Sequence, residues 1–336
     1  MTHVLVARQD NAGDVLLAGP AVRAVAARAD RVTVLCGPAG REAAALLPGV
    51  DEVVVQPAEW IAGEPGPVER DVVLRRVDAL AAREADCALV LTSFHQSPLP
   101  LALLLRMAGV PRIGAISVDY PGSLLDVRHA VPDDVHEVER ALSLAAAMGF
   151  GLPAGDDARL RVRRPGGFSP GVGHVVVHPG ASVPARAWAP ERHAALVDAL
   201  VAAGRRVVVT GAEGERALTR RVARGRALDL GGRTSLGELA DVLAGASCLV
   251  AGNTGPAHLA AAVGTPVVSI FAPTVPAARW RPWNVRHELL HIEVPCAGCR
   301  ARECPVPGHP CLDGLEVGDV MAAVARLAGP AEAVAA

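Results

Sequence analysis

Residues 247–271 read as one supersecondary unit. Ser247–Ala251 is an apolar run of strand length, Gly252–Gly264 is a turn leading into an Ala-rich stretch of helix length, and Thr265–Phe271 is β-branched and apolar. A strand, a turn, a helix and a second strand in that order commit this part of the chain to an α/β layer. Pro256 suits the first helical turn, where its missing N–H is no loss, so Asn253, Thr254 and Gly255 form the loop entering the helix. A helix start made of small residues presents bare N–H groups and a positive dipole end, and phosphate is the natural anion for such a unit. An N-cap and a tight turn would use the same residues without any ligand. His258 follows Thr254 by one helical turn and can point the same way.

The rest of the chain repeats the alternation. Strands are expected at His3–Arg8, Arg31–Cys36, Glu52–Gln56, Cys87–Thr92 and Arg112–Ile116. Helices are expected through Val15, Ala18, Val22 and Val25, near Gly40–Leu47, over Val68–Arg83 after a Pro/Gly-bearing loop at Pro57–Pro67, and up to Met107. A parallel, doubly wound sheet is the economical solution, with ligands gathering at the carboxyl ends of the strands. That rule brings the loop Asp10–Asp14 and the loop Phe94–Ser97, with His95 and Gln96, to one edge. Arg163–Gly171 is dense in Pro and Gly and reads as a linker. The alternation then restarts with a strand at His174–His178, a helix at Pro190–Ala203, a strand at Arg206–Thr210, a helix at Gly214–Arg224, a strand at Ala227–Leu230 and a helix at Leu236–Ala244. Two doubly wound domains follow, 1–165 and 172–315, and a final helix within 316–330 carries an apolar stripe expected to pack back on the first domain.

Composition narrows the function. A net charge of −2 leaves no electrostatic case for nucleic acid or an anionic membrane. The longest apolar run, Leu99–Leu105, is too short to span a bilayer, and the chain opens on a strand without an export signal, so the expected compartment is the cytoplasm. All 33 basic Lys/Arg positions are Arg, which reads as a coding bias. The first strand is followed by a loop holding only Gly13 and no Gly-x-Gly-x-x-Gly, and no Asp-x-Asp is present. Neither a nicotinamide or flavin cofactor nor a carboxylate-held Mg²⁺ has an anchor. Cys296, Cys299, Cys304 and Cys311, with His309 nearby, have spacing compatible with structural zinc, with reduced core thiols or with a disulfide. No metal is assigned to them.

Several segments, in order along nearly the whole chain, resemble the ADP-heptose heptosyltransferases of glycosyltransferase family 9. They are Gly13-Asp14-Val15-Leu16-Leu17, His178-Pro179-Gly180-Ala181-Ser182, Arg186 with Trp188, Gly211 with Glu215, the block Asn253–Ala262, Pro273-Thr274, and Cys296–Cys311. The resemblance implies a GT-B fold: two doubly wound Rossmann-like domains facing across a cleft, acceptor on the first and nucleotide sugar on the second. It also implies metal-independent, inverting transfer of a sugar, a heptose from ADP-heptose, to a hydroxyl of a glycan or small-molecule acceptor, without a cofactor.

By match to the family, Asp14 is the general base. Ser182, Arg186, Thr254 and Gly255 surround the diphosphate, and His258 donates to phosphate or sugar. Glu215 holds the ribose hydroxyls and Thr234 contacts the base. These roles suit the chemistry, since an attacking hydroxyl must lose a proton and a departing diphosphate gathers charge. Two positions depart from the family: Arg186 stands where Lys is usual, and Asn253 where Asp is frequent. Arg keeps the charge and grips phosphate bidentately, whereas an amide can bind a sugar hydroxyl but carries no charge. A sugar-nucleotide epimerase on the same scaffold, and a sugar-nucleotide-binding protein without catalysis, are the competing readings.

Overall fold

A computed structural model of the protein describes residues 1–62 and 65–329 and divides the chain into two compact units, Met1–Arg161 and Val162–Ala336. Positions 63 and 64 of the loop 57–67, and position 330 of the expected terminal helix, lie outside the described residues.

The first unit holds six parallel strands among the described residues: β1 (His3–Arg8), β2 (Arg31–Cys36), β3 (Glu52–Val55), β4 (Cys87–Val90), β5 (Arg112–Ile116) and β6 (Val127–His129). Their order is β3-β2-β1-β4-β5-β6. β1 is buried along its whole length, as a central strand covered on both faces by helices must be. The helix expected through Val25 is two helices, Ala12–Leu17 and Gly19–Ala26, because Pro20 has no N–H to offer the Leu16 carbonyl. β6 and a helix at Glu137–Ala147 are additions to the sequence expectation. That helix starts on a capping box, in which His136 Nδ1 accepts from Val138 N and Glu139 accepts from His136 N. Its buried Val138, Ala141, Leu144 and Ala145 pack it beside Gly19–Ala26.

The second unit repeats the winding with β7 (His174–His178), β8 (Val207–Val209), β9 (Leu228–Asp229), β10 (Ala246–Gly252), β11 (Val267–Ile270) and β12 (His287–Leu290), in the order β12-β11-β10-β7-β8-β9. The βαβ unit of residues 247–271 is β10, the helix Gly255–Val263 and β11. β12 is the strand that sequence patterning missed, being half-buried throughout and without alternation.

The terminal helix corrects an expectation. Val317–Ala328 lies against β10, β11, β12 and the helix Pro190–Ala202. Its Val320, Ala323, Val324 and Leu327 share one core with Val175, Leu196, Val250 and Val268 of the second unit. An apolar stripe specifies that a helix face is buried, not which sheet covers it. Here Cys311, Leu312 and Leu315, just upstream, are already in that core and deliver the helix to it. Among the described residues no helix is long and apolar enough to cross a membrane.

In both sheets the strand order turns back beside the first strand. The loops after β1 and β4, and those after β7 and β10, therefore open side by side at the carboxyl edge of their own sheet. Leu327→Ala is expected to cost about 2 kcal/mol, the lower end for a buried leucine. Denaturant unfolding followed by tryptophan fluorescence in a background that keeps Trp188 as the sole tryptophan (Trp60→Phe, Trp280→Phe, Trp283→Phe) reports on the core that Leu327 shares. An unmoved Trp188 transition would deny the helix that seat.

Candidate functional site

At the switch point of the first unit sits an arginine among carboxylates. Arg8, the last residue of β1, is buried. Its Nη2 donates to Asp14 Oδ1 and to Ser93 Oγ, both at 2.9 Å, and its Nη1 donates to Glu137 Oε2 at 3.3 Å. Its Nε approaches Asp10 Oδ2 to 2.7 Å as an ion pair without hydrogen-bond alignment. Glu137 is also 3.4 Å from Arg140 Nε, and Gln96 Nε2 donates to Asp10 Oδ1 at 2.5 Å. Burial works against the guanidinium charge, but Asp10, Asp14 and Glu137 outweigh it and raise the Arg8 pKa. Burial is also the largest influence on Asp10, whose pKa is pushed up to about 6, with Arg8 opposing and Asp14 adding repulsion.

Ser93, Gln96 and Arg140 have a second face. With Phe94, Arg128 and His129 they line a cavity of about 570 Å³ at the carboxyl ends of β4, β5 and β6. His95 is exposed and stacks edge-on against Phe94 with centroids 5.2 Å apart. Gln96 is thus part of the cavity wall and of the Arg8 network, whereas His95 lies outside both.

The switch point of the second unit gathers two groups of residues. In the first, β7 ends in buried His178, whose Nδ1 is 3.0 Å from Thr210 Oγ1 and whose Nε2 is 4.0 Å from Glu215 Oε2. Burial is the main cause of its lowered pKa, opposed by Glu215. Glu215 accepts from Ala212 N at 2.7 Å and covers Gly180, where a Cβ would come within 2.1 Å of Oε1. Only glycine lets the carboxylate close on that loop. In the second group, Arg186 ends a turn of 3-10 helix, and its Nε donates to Thr274 Oγ1 at 3.1 Å. Gly252, the end of β10, packs where a Cβ would be 3.1 Å from the Arg186 carbonyl oxygen. Asn253 is buried, and Thr254 is the N-cap residue of Gly255–Val263, its hydroxyl turned back to Gly252 O. His258 is buried within that helix, Ser182 is exposed, and Thr234 stands half-buried before the helix Leu236–Ala244.

The cysteine segment braces the Arg186 group. Arg302 O accepts from Ala185 N at 2.9 Å, and His309 Nε2 bonds Ala185 O at 3.0 Å. Gly298 N and Arg300 N donate to Pro273 O and Thr274 O at 2.7 and 2.9 Å. Cys296, Cys299, Cys304 and Cys311, all free thiols, face a cavity of about 30 Å³ with His309. Burial, then repulsion from Cys304, Cys296 and Cys299, pushes the Cys311 thiol pKa up. Among the described residues no group of three or more His, Cys, Asp or Glu is placed to hold a metal ion.

Residues 73–309 match the model of glycosyltransferase family 9 (heptosyltransferase). The chain belongs to glycosyltransferase family 9. It is 31% identical over 232 residues to lipopolysaccharide heptosyltransferase 1 of Pseudomonas aeruginosa, covering 66% of this chain and 64% of that one. It is 32% identical over 120 residues to lipopolysaccharide heptosyltransferase 3 of Escherichia coli, covering 34% and 35%. The chain thus spans about a third of the length of the first curated relatives it matches. The fold is that of the E. coli ADP-heptose heptosyltransferase II (TM-score 0.76, 18% identity, 98% of each chain). It is also that of E. coli heptosyltransferase WaaC, solved with ADP (TM-score 0.70, 20% identity, 96% of this chain and 98% of that one) and with ADP-2-deoxy-2-fluoro heptose (TM-score 0.71, the same identity and coverage). Both sheets are parallel and six-stranded among the described residues, as the GT-B expectation requires.

Within this family member, the expected residues Arg186, Asn253, Thr254 and Gly255 meet at one switch point, and Glu215 sits over the β7 loop. No described contact ties Thr234 or Ser182 to them. Arg8, Asp10, Ser93 and Glu137 were missed. Arg8 ends β1 and Asp10 opens the Asp10–Asp14 loop, so they were open to reading as a charged pair at a strand end. Glu137 is in the first turn of a helix whose available signal was the pair His136 and Glu139 of its capping box.

His193 lies under this site, edge-on to Trp188 at 5.0 Å, with Nδ1 lacking a hydrogen-bond partner among the described residues. Burial, then His178, pushes its pKa down to about 3. The unfolded chain takes up that proton near the ordinary 6.5, so stability is intact above that pH and drains away as pH falls towards 3. One such proton removes up to about 1.4 kcal/mol per pH unit. His193→Phe is expected to flatten the fall in Tm between pH 6.5 and 4.5. Equal slopes in wild type and variant would place the proton elsewhere.

Proposed function

We propose that this protein is an inverting heptosyltransferase that moves a heptose from ADP-heptose to a hydroxyl of a glycan or small-molecule acceptor. The carrying observation is Asp14, a carboxylate fixed by Arg8 in a network whose Ser93, Gln96 and Arg140 also wall a cavity large enough for a sugar. Family membership and the nucleotides named for WaaC support the donor class. Seven free cysteines agree with a reducing compartment, and the cytoplasm is the proposed location.

In this reading the acceptor occupies the first-unit cavity, and its hydroxyl proton passes to Asp14 as the oxygen attacks the anomeric carbon. The bond from that carbon to the diphosphate oxygen breaks on the opposite face, inverting the centre and releasing ADP. Arg186 and the N–H groups at the start of Gly255–Val263 meet the growing diphosphate charge, with His258 donating to phosphate or sugar and Asn253 bonding a sugar hydroxyl or the loop backbone. Glu215 takes the ribose hydroxyls. No step requires a metal, because the protein's own cation and amides supply the stabilisation.

Two variants test the assignment. Asp14→Asn keeps the size of the side chain and removes the proton acceptor, so kcat is expected to fall about 10²–10⁴-fold while ADP affinity holds. Steady-state ADP release and calorimetry read the two quantities, and turnover within a few fold of wild type would remove Asp14 from the mechanism. Arg186→Ala is expected to weaken ADP binding by about 1.5–3 kcal/mol, the range for hydrogen bonds to charged groups. Unchanged ADP affinity would sink the diphosphate role.

A further inference from the structure

Three carboxylates converge on one buried guanidinium, and they come from different parts of the first unit. Asp10 lies in the turn after β1, Asp14 in the helix Ala12–Leu17, and Glu137 in the first turn of the helix Glu137–Ala147. Ser93, from the loop after β4, shares Nη2 with Asp14. Each edge of the guanidinium is therefore used by a different element. The charges facing Arg8 are these three carboxylates, and Arg140 balances Glu137 from behind.

Exposure separates the members. The side chains of Arg8, Asp10 and Glu137 are 5%, 8% and 2% exposed, whereas that of Asp14 is 18% exposed. The network thus turns a single carboxylate towards solvent and seals the others. We propose that Arg8 is the positioning residue of the transfer reaction, holding Asp14 at a fixed angle between the cavity wall and the helix start so that it can receive the acceptor proton. This rests on Asp14 as the base.

A planar fork of five N–H donors can hold three carboxylates and a hydroxyl at once. A lysine ammonium keeps the charge but is a single point on a flexible stem and cannot span the same partners. A misplacement of about 1 Å can cost about 100-fold in rate. Arg8→Lys is therefore expected to lower kcat about 10–100-fold and to leave ADP affinity, which involves the second unit, unchanged.

The test compares wild type, Arg8→Lys, Asp14→Asn and the double variant. Turnover is read as ADP released from ADP-heptose, and ADP affinity is measured by calorimetry. A positioning residue acts through its partner, so Arg8→Lys should add nothing to the loss already present in Asp14→Asn. Additive losses, or an Arg8→Lys kcat within threefold of wild type, would overturn the proposal. Independently of turnover, a crystal structure of Arg8→Lys should show the Asp14 carboxylate displaced from the position that Arg8 Nη2 holds in wild type. An unmoved Asp14 carboxylate overturns the proposal as well. Asp14→Asn with near-normal turnover would instead sink the general-base reading and leave the position of Asp14 in Arg8→Lys to judge Arg8 alone. Should Arg8→Lys fail to fold, Glu137→Gln strips the guanidinium of its helix anchor. It should lower kcat several-fold only when Asp14 is present, and an effect that persists in Asp14→Asn would count against the proposal.

Discussion

The reversal of strand order beside the first strand of each sheet is the constraint on which everything else rests. In a parallel sheet every crossover helix must lie on one face or the other, and the two directions of winding part between β1 and β4, and between β7 and β10. The loops at those points lie where the two windings part. Arg8, Asp14 and Ser93 occupy one such opening, and Arg186, Gly252 and Asn253 occupy the other. Polar groups that would be costly inside either core collect where the core ends.

The two openings solve different electrostatic problems. The first holds an ion cluster that is buried except at Asp14, and a buried charge stays ionised only with partners on several sides. Arg8 has them, and its own fixed geometry imposes order on the carboxylates. Among the described residues the second opening has no comparable carboxylate cluster. It offers the amides of a helix start, one arginine and a buried amide side chain, a set suited to an anion that arrives from solution. The cysteine segment keeps the Arg186 turn and the Thr274 loop together through backbone hydrogen bonds, so its contribution is bracing.

Asn253 and Arg186, the two departures from the family pattern, sit at the same place. Arg186 uses Nε on Thr274, and Asn253 is buried beside it. A neutral amide next to a guanidinium leaves the positive potential of the site less cancelled than a carboxylate would, which favours a diphosphate.

Most strands and helices were legible in the sequence because burial on both faces of a parallel sheet demands long apolar runs, and crossover helices demand a repeating stripe. Asp14, Arg186 and the Asn253–His258 block drew notice through their resemblance to the family's motifs, in turns and helix starts that select particular residue types. β6 and β12 were not, since short, half-buried edge strands carry no distinctive period. The seat of the terminal helix was not legible either, because an amphipathic stripe is satisfied by any apolar sheet it meets. Nor was the Arg8 cluster: Arg8 and Glu137 are 129 residues apart, and only the packing of Glu137–Ala147 beside Gly19–Ala26 brings them together. The sequence by itself determined which segments form most of the strands and helices and which residue types each loop presents, for those follow from local pattern. Which loops share a site, and which carboxylate faces outwards, was decided by the tertiary structure, because a buried charge is oriented by partners far away in the chain.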